Sequence, residues 1–139
     1  MNMVKYRLID DLTSDVLFEA YGRNMKEVFK NAAEAVFRIM CRIDAVGTGR
    51  FLDVQVKADS TEELMINWLQ QLIGLVDVKE MFFSRFHITE IDERHLKARI
   101  YGEGITPGKG KTVVKAVTYY KYGFWKMPDG YKVRVSLDI

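Results

Sequence analysis

A chain of 139 residues with 48% hydrophobic and 29% charged residues fits one globular domain, residues 1–139, large enough to bury a core without disulfides or a structural metal. No apolar run approaches the roughly 18 residues of a membrane span, and Met1 to Leu12 carries charges where an export signal needs an apolar stretch. The formal net charge is only +2, but residues 109–139 carry a surplus of positive charge and the first 108 a deficit, which suits either a nucleic-acid surface or lysines guarding exposed strand edges.

Val4 to Ile9 predicts a first strand and Val16 to Tyr21 a second, with Val16, Phe18 and Ala20 on one face and the acidic segment Asp10-Asp11-Leu12-Thr13-Ser14-Asp15 as their turn. Asn24 with Glu27 three residues on reads as an N-cap opening a helix. Its stripe is Val28, Phe29, Ala32, Ala33, Val36, Phe37 and Met40. The single cysteine, Cys41, falls at the end of this helix, where it reads as a buried thiol in a reducing cytoplasm. Leu52, Val54 and Val56 alternate with polar residues as a third strand. Ser60-Thr61-Glu62-Glu63 is a capping box for a second helix, with Leu64, Met65, Trp68, Leu69, Leu72, Ile73 and Val76 on its inner side.

Phe82 to Ile91 and Leu96 to Tyr101 predict a hairpin turned at Asp92-Glu93-Arg94, followed by a loop from Gly102 to Lys111. Val113 to Lys121 and Tyr131 to Asp138 predict a last strand pair turned near Met127-Pro128-Asp129-Gly130, where Pro presets φ and Gly accepts a positive one. The order β-β-α-β-α and four further strands gives an α+β fold, two helices on one face of a largely antiparallel sheet.

Few motifs carry chemistry. Gly110-Lys111-Thr112 matches the end of a P-loop, but Ile105 stands where its first glycine belongs and a strand, not a helix, follows. His87 and His95 flank one turn and would need further ligands to share a metal. No serine sits in a nucleophile elbow, and Cys41 has no evident histidine partner. Tyr119, Tyr120, Tyr122, Phe124, Trp125 and Tyr131 interleave with Lys115, Lys121, Lys126, Lys132 and Arg134, a mixture that could stack and neutralise single-stranded RNA. The sharpest feature is acidic: Asp138 beside the α-carboxylate of Ile139, with the cluster of Asp10, Asp11 and Asp15 to supply a further carboxylate if the two ends meet. Carboxylate oxygens suit hard cations, although the spacing near Asp15 is not that of an EF-hand.

Asp11-Leu12-Thr13-Ser14-Asp15-Val16, Ala20-Tyr21-Gly22, the helix segment Glu27 to Ala33, Val114-Lys115-Ala116-Val117-Thr118-Tyr119 and Leu137-Asp138-Ile139 together resemble the archease family, in order and over nearly the whole chain. The resemblance implies a cytoplasmic protein that is not an enzyme but a protein cofactor of the RtcB-type RNA ligase of tRNA splicing and RNA repair. Such a protein promotes ligase guanylylation and multiple turnover. It implies a divalent metal ion, calcium, manganese or magnesium, held by Asp15, Asp138 and Ile139, with Asp11, Lys115, Thr118 and Tyr120 as supporting or partner-contacting residues. The implied partner is the ligase, with tRNA reached through it and neither membrane nor DNA involved. Leu12 and Tyr120 stand where many members carry histidine. Two alternatives remain: an RNA-binding or chaperone-like module acting through the basic aromatic hairpin, and a metal-dependent phosphoester hydrolase with Lys115 as electrophile.

Overall fold

The structure is a computed structural model that describes residues 4–9 and 15–139. Its elements follow the expected order: β1 (Tyr6–Ile9), β2 (Val16–Gly22), α1 (Met25–Met40), β3 (Arg50–Lys57), α2 (Thr61–Lys79), β4 (Met81–Ile91), β5 (His95–Gly104), β6 (Ala116–Met127) and β7 (Gly130–Asp138). Every strand pairing among them is antiparallel, but the strands divide into two sheets, one ordered β1-β2-β7-β6 and one β3-β5-β4. Among the described residues no helix is long and apolar enough to cross a membrane.

Both helices start where their caps dictate. The Asn24 side chain accepts from the Glu27 N–H at 2.9 Å and the Ser60 hydroxyl from the Glu63 N–H at 3.2 Å, each satisfying a donor that the first turn leaves orphaned. The apolar stripes expected for α1 and α2 are buried at every position named above. Trp68 joins the two helices, its indole N–H donating to the Phe29 carbonyl at 3.0 Å. The helices contact strands of both sheets, so the buried side chains form a continuous cluster running from Phe18 and Val135 through α1 to Phe83 and Ile100.

Three strands differ most from expectation, the first of them β1, which starts at Tyr6 rather than Val4. The hairpin strand β5 runs on to Gly104 rather than ending at Tyr101. The sixth strand begins at Ala116, not Val113, and continues past Lys121 to Met127. It does so through an excursion: the β6–β7 ladder passes from Thr118↔Ser136 to Gly123↔Arg134, so Tyr119 to Tyr122 face only Val135. Lys121 takes a left-handed φ of 53° there, while the Tyr122 hydroxyl is anchored on the Glu62 carbonyl of α2 at 2.7 Å. Aromatic alternation alone does not reveal such a bulge.

The β6–β7 turn is built as expected. Gly130 has φ 152°, and a Cβ there would lie 2.1 Å from the Gly22 carbonyl oxygen. Gly22 itself would place a Cβ 2.2 Å from the Val28 backbone nitrogen, so this corner of the first sheet sits directly on the first turns of α1. Asn24→Ala should therefore cost about 1 kcal/mol by loss of the cap, whereas Gly22→Ala, which must push helix from sheet, should cost about 3 kcal/mol or more. Urea unfolding of the two variants checks the ranking, and a milder effect at Gly22 than at Asn24 would contradict the packing described.

Candidate functional site

The β2–β7 ladder pairs Val16 with Leu137, Phe18 with Val135 and Ala20 with Val133, all on the core face. The alternate residues Leu17, Glu19 and Tyr21 on β2, and Lys132, Arg134 and Ser136 on β7, therefore share the outer face. Asp15 and Asp138 are the next residues out along the same two strands. Asp15 lies on the outer face with Ser136, whose hydroxyl donates to Asp15 Oδ2 at 3.1 Å across 121 residues of sequence. On the other side of β7, β6 pairs Ala116 with Asp138 and Thr118 with Ser136. The Lys115 N–H donates to the Asp138 carbonyl at 2.7 Å, and Gln70 of α2 accepts from the Val117 N–H at 2.9 Å, which ties the edge strand down beside the site.

The residues singled out in the sequence thus fall into three groups. Asp15, Asp138 and Thr118 come together at one end of the first sheet, with Ile139 following Asp138 and 42% exposed. Lys115 also neighbours them, its side chain exposed, while Tyr120 stands in the bulge after Thr118 with the Lys121 ammonium 5.3 Å from its ring. Asp11 lies outside the described residues. Ser136 escaped the sequence reading, although its place two residues before Asp138 on a strand puts it on the same face.

Among the described residues no cluster of three His, Cys, Asp or Glu side chains is assembled. What the end of the sheet offers instead is oxygen: the Asp15 and Asp138 side chains and the hydroxyls of Ser136 and Thr118. Thr118 Oγ1 is the one buried side-chain polar atom among the described residues with no hydrogen-bond partner. An all-oxygen set with an unsatisfied hydroxyl fits a hard cation such as calcium, magnesium or manganese and does not fit a soft one.

The other motifs resolve without chemistry. His87 pairs with Arg99, while His95 lies 3.3 Å from Asp92, so the two histidines do not converge. Cys41 is fully buried with Sγ 3.1 Å from the Phe37 carbonyl, and burial pushes its thiol up to about 11, which makes it unreactive. In the glycine-rich loop Lys109 pairs with Glu103 and Lys111 donates to the Arg38 carbonyl at 2.9 Å, so both lysines are turned onto the protein rather than forming a phosphate cradle.

Elsewhere on the outer face the dominant group is Glu19, 2% exposed. It accepts from Arg7 at 3.0 Å, Arg134 at 3.0 Å and the Tyr21 hydroxyl at 2.8 Å, with Lys132 at 3.9 Å. Lys132 and Arg134 also lie over the Trp125 ring, at 4.7 and 5.4 Å from its centroid. An open pocket of about 450 Å³ lined by Arg7, Tyr21, Met127 and Lys132 adjoins this cluster, at the opposite end of the ladder from the carboxylates.

Residues 6–139 match the model of the Archease protein family (MTH1598/TM1083). The chain is 36% identical over 141 residues to a protein archease of Methanosarcina acetivorans, covering 97% of this chain and 96% of the relative. It is 34% identical to one of Methanothermobacter thermautotrophicus, covering 93% and 95%. The solution structure of Methanobacterium thermoautotrophicum protein 1598 superposes with a TM-score of 0.80 at 31% identity, covering 97% of this chain and 99% of that one. The crystal structure of a Thermotoga maritima archease, described as a possible chaperone, shares the fold with a TM-score of 0.67 at 19% identity over 96% and 97% of the two chains.

The Glu19 cluster makes a pH prediction. Burial alone would push this carboxyl up, but hydrogen bonds from Tyr21, Arg7 and Arg134 and the charge of Lys132 outweigh it and bring it from 4.5 down to about 2. A depressed carboxylate stabilises the fold fully above pH 4.5, and that contribution is lost as pH falls from there towards 2. Glu19→Gln should remove this acid limb from the urea midpoint and lower stability at neutral pH by about 1–3 kcal/mol, because the hydrogen bonds to the enclosed carboxylate lose their charge. An unchanged acid limb in the variant would show that Glu19 does not carry it.

Proposed function

Because the chain belongs to the archease family, we propose that it serves as a cytoplasmic protein cofactor of an RtcB-type RNA ligase, acting as a single archease-like domain and not as an enzyme. In this reading it promotes guanylylation and multiple turnover of the ligase in tRNA splicing and RNA repair, meeting tRNA only through that partner. Asp15, Asp138 and the Ile139 carboxylate would hold a divalent cation, calcium, manganese or magnesium. When bound, such a cation supplies positive charge against phosphate oxygens during transfer of GMP to the ligase.

The observation that carries the reading is the meeting of the two chain ends, with Asp15 bonded to Ser136 and abutting the residues that lead to Asp138 and Ile139. This chain's own residues then have defined tasks. Ser136 fixes the Asp15 carboxylate, the β6 edge holds Asp138 through its backbone, and the exposed terminus presents the group to a partner. No nucleophile is asked of it in this reading.

Guanylylation of the cognate ligase with GTP and manganese, measured with this protein, with Asp15→Ala and with one residue added after Ile139, tests the reading. Both changes should cut stimulation about 10-fold or more, the loss usual when a metal site is disturbed, while circular dichroism stays unchanged. Full stimulation by the extended protein would sink the terminal-carboxylate mechanism. Two other results would favour other classes: phosphoester turnover without the ligase would favour the hydrolase, and strongly salt-dependent RNA binding indifferent to Asp15→Ala would favour the basic aromatic hairpin.

A further inference from the structure

Thr118 sits on the third pair of the β6–β7 ladder counted from Asp138, directly opposite Ser136, and both side chains face outward, Ser136 bonded to Asp15. Facing residues on one sheet face have Cβ atoms about 4.5–5.5 Å apart, close enough for two hydroxyls to bond. They do not. Ser136 gives its one proton to Asp15, and Thr118 Oγ1 is buried with no partner at all.

A buried hydroxyl without a partner costs about 1–3 kcal/mol. The strand gains nothing in return, since Val at this position has equal or better β propensity and carries no polar atom. The Glu19 cluster on the same face shows the contrast: there each buried polar group has its partners, and the cluster is explained by the strands it joins. The Thr118 hydroxyl is therefore a cost that the fold alone does not account for, placed diagonally from Asp138 and opposite the serine that holds Asp15.

We propose that Thr118 Oγ1 belongs to the oxygen donor set that holds the divalent cation, and that Ser136 is the positioning residue that sets the Asp15 carboxylate for it; the inference rests on the cation reading given above. Spacing supports the assignment. Asp138 is the diagonal neighbour of Thr118 across the ladder, at about 7–8 Å by the regular dimensions of an antiparallel pair. Oxygen ligands at about 2.0–2.6 Å from a cation lie about 3–5 Å from one another, and a Thr and an Asp side chain reach that separation from such a diagonal. The hydroxyl adds a neutral oxygen to a set otherwise made of carboxylates. That favours calcium, magnesium or manganese without adding to the repulsion among negative charges.

Titration of the full chain with calcium, manganese and magnesium by calorimetry, with melting curves in chelator, tests this on wild type, Thr118→Val, Thr118→Ser and Ser136→Ala. Thr118→Val should melt no lower than wild type in chelator, because it removes an unsatisfied group, yet bind the cation about 10–100-fold more weakly. Thr118→Ser should restore binding, and Ser136→Ala should weaken it through a misplaced Asp15. Wild-type affinity retained in Thr118→Val overturns the hydroxyl's role and leaves the carboxylate site standing. A drop in the chelator melting point of Thr118→Val overturns the premise that the hydroxyl is unpartnered. Failure of wild type to bind any of the three cations overturns the carboxylate site and this inference with it.

Discussion

The ladder between β2 and β7 joins the start of the chain to its end, and the rest of the structure is arranged around it. Both strands lie inside the four-stranded sheet, and their core face consists of Phe18, Ala20, Val133, Val135 and Leu137, all fully buried. A slip of one residue would turn Glu19, Arg134 and Lys132 into that core and expose five apolar side chains, so the register is strongly determined by burial. The position of Asp15 beside the end of β7 is a by-product of that core pattern. No local motif around Asp15 needs to create it.

The outer face of the same strands is electrostatically divided along its length. At one end Glu19 is enclosed by Arg7, Arg134, Lys132 and Tyr21, linking β1, β2 and β7 through one carboxylate. At the other end stand Asp15 and Asp138. Arg134 is four residues from Asp138, about 13 Å along an extended strand, which exceeds the screening length of about 8–10 Å at ordinary salt. Its charge is moreover already opposed by Glu19. The cations of the cluster consequently do not neutralise the carboxylates at the far end, and what offsets charge there must come from nearer groups such as Lys115 or from outside the chain.

Much of this was legible in the residues. Asn24 and Ser60 announced both helices because a side-chain oxygen three residues before a backbone donor is a local arrangement, and the stripes of α1 and α2 followed from a period of 3.6. Gly130 marked its turn for an equally local reason. Asp15, Asp138 and Thr118 could be nominated, but their meeting depends on pairing across more than a hundred residues, which no window of sequence contains. The division into two sheets was hidden for the same reason. Glu19 and Ser136 were missed because alternation assigns them to a solvent face, whereas their neighbours cover them almost completely.

The bulge in β6 connects these threads. It begins at the residue after Thr118, where four residues of one strand come to face one of the other. Lys121 pays for it with a left-handed φ, of order 1 kcal/mol for a non-glycine residue, and Tyr122 sustains it by packing against the core and bonding to Glu62. Had β6 continued in register, the residues after Thr118 would have paired one for one with β7, and Tyr119 and Tyr120 would be part of a flat edge. Because the ladder breaks there, Thr118 closes a short, separate stretch of pairing made only of Ala116 to Thr118 against Ser136 to Asp138. That stretch carries the carboxylates and the hydroxyls together, held by Gln70 on its outer edge and by Asp15 on its inner one. The acidic end of the sheet is thus a small unit with its own boundaries, and strain in the neighbouring bulge is part of what delimits it.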